Sequence, residues 1–71
     1  MIRLVYDHDY GFVVEQKVGK EWEIQNMTPE MIYKEKCSWP EAVEKAKELA
    51  RDLKTKIIAF TKEGKRRTVN V

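Results

Sequence analysis

The spacing of apolar residues changes once along the chain. Within SWPEAVEKAKELARDL (38–53), Trp39, Ala42, Val43, Ala46, Leu49, Ala50 and Leu53 recur at intervals of three and four, which places them on one stripe of an α-helix. Ser38 followed by Glu41 has the form of a capping box, and Pro40 falls in the first turn, where its missing N–H breaks no helical bond. The alanines keep the stripe narrow, so the helix is expected to lie close to whatever it covers.

Elsewhere the apolar positions alternate. IRLVY (2–6) sets Ile2, Leu4 and Tyr6 on one side, and YGFVVEQKV (10–18) sets Tyr10, Phe12, Val14 and Val18 on one side and Val13, Glu15 and Lys17 on the other. Gly19-Lys20 reads as a tight turn into EWEIQ (21–25), where Trp22 and Ile24 alternate with acids. After the helix, KIIAFT (56–61) is apolar on both faces, KEGK (62–65) is a turn with Gly64 at its left-handed position, and RRTVNV (66–71) closes a hairpin. The stretch MIYKEKC (31–37) reads as a further strand, bounded by Pro29 and Pro40, with NMTPE (26–30) as a turn before it.

The order is therefore β-β-β-(β)-α-β-β. It predicts an α+β fold, an antiparallel sheet with one amphipathic helix packed on one face, in a single domain spanning 1–71. Leu4, Phe12, Val43, Ala46, Leu49, Ile57 and Phe60 are the expected core. Val5, Val13, Ile32 and Ile58 fall on the other face, where a homodimer would cover them; Val13 and Ile58 are the interface candidates.

A 71-residue chain buries only about 60% of its unfolded surface, so it depends on one well-packed core or on a partner. Cys37 is the sole cysteine, which excludes an internal disulfide and favours a reducing, cytoplasmic compartment. The opening MIRLVYDHDYGFVVEQ is interrupted by polar residues and does not read as a signal peptide, and no apolar run approaches the roughly 20 residues of a membrane helix.

Little in the chain suggests catalysis. His8, between Asp7 and Asp9, has the residue types of a metal ligand set, but three consecutive loop residues rarely close a site, and such Asp side chains ordinarily cap a turn. Cys37 lies beside Lys36 and near a helix N-terminus, either of which lowers a thiol pKa, yet its alternation with Tyr33 favours a small buried side chain. Glycine-rich phosphate loops, zinc-type cysteine pairs and paired carboxylates are absent, so the expectation is a non-enzyme without metal or cofactor.

Charge supplies the main functional clue. Residues 1–36 carry five Lys/Arg and seven Asp/Glu, whereas residues 37–71 carry nine and five. Lys56, Lys62, Lys65, Arg66 and Arg67, with Lys54, are candidates to meet phosphates, and Tyr10, Phe12, Trp22 or Tyr33 to stack on bases. Against this, lysines at sheet edges also discourage aggregation, and Asp7, Asp9, Glu15, Glu21 and Glu23 repel phosphate if they share the basic face.

WPEAVEKAKELARD (39–52), IIAF (57–60) and KEGK (62–65) together resemble a family of small bacterial domains of unknown function, which look like an aromatic-bearing hairpin, an "EA…A…LA" helix and a strand ending in a glycine turn. The resemblance covers roughly 9–67, leaves 27–36 unmatched, and implies a small α+β fold without an established activity. Small proteins of this kind also occur in phage and archaeal viral genomes. The sequence thus predicts a small non-enzymatic accessory or protein-interaction domain, partnered with itself as a homodimer. The alternative is DNA or RNA binding through the basic C-terminal hairpin and the sheet aromatics.

Overall fold

The computed structural model describes residues 1–26 and 36–71. Among these residues five strands, β1 (Ile2–Asp7), β2 (Gly11–Val18), β3 (Glu21–Ile24), β4 (Ile57–Phe60) and β5 (Arg66–Arg67), form one sheet in the order β3-β2-β1-β4-β5, and α1 (Trp39–Leu53) packs on one face. The expected α+β architecture holds, with one correction: the sheet is mixed. β1 and β4 pair in parallel, Ile2 opposite Ile57 and Leu4 opposite Ala59, while the other pairs are antiparallel. A hairpin reverses the chain, but a crossover through a helix returns it in its original direction, and α1 is that crossover.

Small side chains let the helix sit close. Ala42, Ala46 and Ala50, spaced at i, i+4 and i+8, are each at most 1% exposed and meet Ile2, Leu4, Val14, Ile57 and Ala59 from the sheet. Phe12, Trp39, Val43, Leu49 and Val69 pack around this centre, with the Phe12 and Trp39 rings edge to face at 5.1 Å. Phe60 is not in this core. Its register partner is Arg66, one residue out of phase with Ala59, so it faces away from α1. Strand parity overrides its hydrophobicity.

The capping box is present in letters only. Ser38 is the N-cap but makes no side-chain cap bond, and Glu41 instead approaches the Cys37 thiol, Sγ to Oε2 3.9 Å. At the other end Lys54 takes the left-handed conformation, φ 52°, and its N–H reaches back to the carbonyls of the last helical turn. The two-residue turn at Gly19-Lys20 and the left-handed Gly64 hold as expected.

β3 stops short of the full length of β2, and Asn26 takes its place. Val14 N–H donates to Asn26 Oδ1 at 3.0 Å, and Asn26 Nδ2 donates to Phe12 O at 3.0 Å, so the side-chain amide acts as one more peptide group in the ladder. Beyond it, Phe12 N–H donates to Cys37 O and Cys37 N–H donates to Tyr10 O, both at 3.0 Å. Gly11, φ +80°, makes this approach possible, since a Cβ there would lie 2.5 Å from Cys37 O. Only Cys37 and Lys36 of the strand expected at 31–37 belong to the described residues. The rest of it, with Ile32 and Tyr33, and all but Asn26 of the turn expected at 26–30, lie outside them.

Candidate nucleic-acid interface

The strand register sorts charge onto the two faces of the sheet. Lys17 pairs with Trp22, Glu15 with Ile24 and with Arg3, Arg3 with Ile58, Val5 with Val13, and Phe60 with Arg66. Cross-strand partners share a face, so all these residues lie on the side turned away from α1. Glu21 pairs with Val18 and Glu23 with Gln16, which puts both acids on the helix side.

On the face away from α1, cations and aromatic rings are interleaved. The Arg3 guanidinium lies 4.1 Å from the centre of the Trp22 ring, and the Lys17 ammonium lies 5.9 Å from the same ring. Arg66 sits 5.9 Å from the Phe60 ring. At the end of β1, Lys62 lies 5.2 Å from the ring of Tyr6, which by register belongs to the helix side with Phe12, and both Tyr6 and Lys62 line a groove on this face. Two acids fall on this face by register: Glu15 is neutralised by Arg3, which reaches its carboxylate at 3.0 Å and 3.1 Å, and Asp7, at the end of β1, turns its carboxylate to the N–H groups of Asp9 and Tyr10. Lys17, Lys62 and Arg66 remain as cations without an acidic partner among the described residues. The groove, of about 500 Å³, is floored by Val5 and Ile58 and walled by Trp22, Arg3, Phe60 and Lys62; Lys17 and Arg66 do not line it.

The expected basic site is therefore divided. Arg66 lies on the groove face by register, and Lys62 lines the groove with its ammonium over Tyr6. Arg67, one residue on, points to the helix side, 4.4 Å from the Trp39 ring. Lys65 is exposed in the turn, where its N–H donates to Thr61 Oγ1. Lys56, at the far end of β4 from Phe60, lines a separate depression with residues 66–71. Phe12 packs beneath the helix, leaving Trp22 as the one described aromatic of the expected stacking set that lies on the groove face. Arg3 and Lys17 were not among the expected binding residues, although their alternation with Val5 and Glu15 carries the signal.

Of the two interface candidates, Ile58 is half-buried in the groove floor, and Val13 is 3% exposed within a single chain. Val13 thus offers a partner almost no area, and a polar residue there would test folding rather than association.

The remaining candidate chemistry has structural roles. Asp7 Oδ1 accepts the N–H groups of Asp9 and Tyr10 at 2.8 Å and 3.1 Å, which closes the turn carrying His8. Burial pushes the Cys37 thiol above its ordinary pKa, with Glu41 adding to the effect against an opposing hydrogen bond from Asn26. The lowering expected from Lys36 and the helix N-terminus does not prevail. Among the described residues no three His, Cys, Asp or Glu side chains come together as a metal site, and no helix is long and apolar enough to cross a membrane.

Compared with known proteins, the chain matches no protein-family model, no curated protein and no solved structure.

Proposed function

We propose that this is a non-enzymatic binding domain whose groove face takes single-stranded nucleic acid with little sequence preference. The observation that carries the reading is the sorting by register: Trp22 and Phe60 share a face with Lys17 and Arg66, with Lys62 lining the same groove, while Glu21 and Glu23 turn to the other. Cations at this spacing meet backbone phosphates, and aromatic rings or an Arg plane stack on unpaired bases. Arg3 serves the second role, since its charge is already satisfied by Glu15 and its plane rests on Trp22.

A duplex-reading ribbon fits less well. β4 and β5 share two paired positions, and Arg66 and Arg67 point to opposite sides, which is too short and too divided for a ribbon in a major groove. A homodimer closed over Ile58, with an accessory or protein-interaction role, is the second reading, favoured by the apolar floor of Val5 and Ile58. It would bring Lys17, Lys62 and Arg66 of two copies together, and like charges disfavour that contact.

Fluorescence anisotropy against labelled single- and double-stranded DNA and RNA, over a range of salt, tests the reading. Three phosphate contacts predict a log–log salt slope of about −2 for single strands. Trp22→Ala should weaken binding about five- to a hundredfold, as expected for one lost stacking platform. Arg67→Gln, on the opposite side, should leave affinity unchanged. An absence of binding at low salt, or an affinity indifferent to salt, would remove this reading in favour of the homodimer.

A further inference from the structure

The two sheet edges carry opposite charge, and the strand directions let them meet. Among the described residues β3 and β5 are the terminal strands. β3 presents Glu21 and Glu23, both exposed, and β5 is Arg66–Arg67, both exposed and preceded by Lys65. Edge charges ordinarily prevent strand pairing between molecules. Here each edge repels its own kind: β3 against β3 sets Glu beside Glu, and β5 against β5 sets Arg beside Arg. The unlike pair carries no such penalty.

Direction agrees with charge. β3 runs with β1, because each is antiparallel to β2; β5 runs against β1, because it is antiparallel to β4, and β4 is parallel to β1. A second copy in the same orientation therefore sets its β3 antiparallel to β5 of the first, with both helices on one side of a continuous sheet. Facing agrees as well. Arg67, paired with Ala59, lies on the helix side with Glu21 and Glu23, and Arg66, paired with Phe60, lies on the other side with Trp22 and Ile24. An antiparallel joint with Arg67 opposite either glutamate puts Arg66 opposite Trp22 or Ile24, so an acid meets a base on one face and a cation meets an aromatic or aliphatic side chain on the other.

We propose that copies of this chain associate head to tail, β5 of one against β3 of the next, in an open series rather than a closed dimer. A joint between two different edges of the same chain is heterologous, so it closes only if the accumulated twist completes a ring. The proposal rests on the edges and stands independently of what the groove face binds.

Sedimentation velocity of the full chain, without nucleic acid, tests it over a concentration series at low and high salt. The weight-average mass should rise with concentration past that of a dimer without levelling, and fall back as salt is raised. Glu21→Lys with Glu23→Lys makes both edges basic, and Arg66→Glu with Arg67→Glu makes both acidic. Each double variant alone should associate about tenfold more weakly or worse. An equimolar mixture of the two should associate again, since every basic edge then finds an acidic one. Circular dichroism of each variant establishes that it is folded, and single reversals at Glu23 and Arg67 replace the doubles if either is not. A monomer at every concentration, a mass that levels at the dimer, or folded variants whose mixture stays monomeric would overturn the proposal.

Discussion

Asn26→Ala is the sharpest test of how this fold is held together. The Asn26 amide satisfies two backbone groups of β2, the Val14 N–H and the Phe12 carbonyl, each at 3.0 Å, where β3 has ended. Val14 is fully buried, so water does not readily replace the lost partner. A buried backbone group left without a hydrogen bond costs about 1–3 kcal/mol. Two such groups, partly relieved by water entering the space of the missing amide, give an expected loss of about 2–4 kcal/mol. For 71 residues the whole stability is roughly 4–11 kcal/mol at the usual 0.05–0.15 kcal/mol per residue, so the change is a large fraction of it. Urea unfolding followed by tryptophan fluorescence measures it as a fall in midpoint at unchanged slope. Asn26→Asp separates hydrogen bonding from packing. Its carboxylate still accepts from Val14 N–H but faces the Phe12 carbonyl with no proton to donate. Folding then favours the protonated acid and raises its pKa above the unfolded value of about 3.9, so the variant is least stable at neutral pH and recovers as pH falls. A loss below about 0.5 kcal/mol for Asn26→Ala, or no recovery of Asn26→Asp in acid, would refute the claim that this side chain completes the ladder.

Three further outcomes follow from the same geometry. Gly11→Ala combines a left-handed backbone with a Cβ 2.5 Å and 2.8 Å from backbone atoms of Cys37, and is expected to cost about 2 kcal/mol or more, whereas Gly19→Ala, φ +62° with open space around it, should cost about 1 kcal/mol; equal losses in urea melts would contradict the role given to the Gly11–Cys37 contact. Ala46→Leu places three extra carbons between α1 and the sheet at a position with no exposure, and thermal unfolding should register about 1–3 kcal/mol of overpacking; a neutral result would mean the helix does not sit as close as its alanines imply. Cys37, held above the ordinary thiol value of 9.0 by burial, should alkylate slowly at neutral pH with a midpoint above 9.0, and its contribution to stability should be full below that value and lost as pH rises through the folded-state pKa; a midpoint below 9.0 would contradict the burial.

Much of the fold was legible because local rules act alone on it. The helix stripe, the alternation in β1 and β2, and the glycines at the two turns each specify structure within a few residues, and α1 starts and ends where that periodicity does. What escaped depends on partners distant in sequence. Parallel and antiparallel strands share one alternation, so nothing within residues 57–60 distinguishes a β4 beside β1 from a hairpin partner. β5 is shorter than the expected strand: it pairs only with Ala59 and Phe60, and beyond Arg67 the chain brings Val69 back onto the core. Asn26 reads as a turn residue by type, and only the early end of β3 makes its amide part of the sheet.

The site divides along the same line. A run such as KEGKRR looks like one basic cluster when read as composition, but strand parity sends Arg66 and Arg67 to opposite faces. The same parity applied across β2 and β3 brings Lys17 and Arg3 to Trp22, residues separated by up to 19 positions, and removes Glu21 and Glu23 from their side. Alternation within each strand was readable from the start; the pairing between strands was not, and the charge on a face is a property of the pairing. The objection that the acidic N-terminal half would repel phosphate thus turns on register rather than on net charge. One-residue slippage of β3 against β2 would exchange Trp22 for two glutamates on the groove face. The proposed binding surface therefore depends on the hairpin turn at Gly19-Lys20 as directly as on any cation. Lengthening that turn by one residue should weaken nucleic-acid binding even if the helix and core remain folded. Unchanged affinity in such a variant, with folding verified by circular dichroism, would separate the surface from the register and leave the charge alone to explain binding.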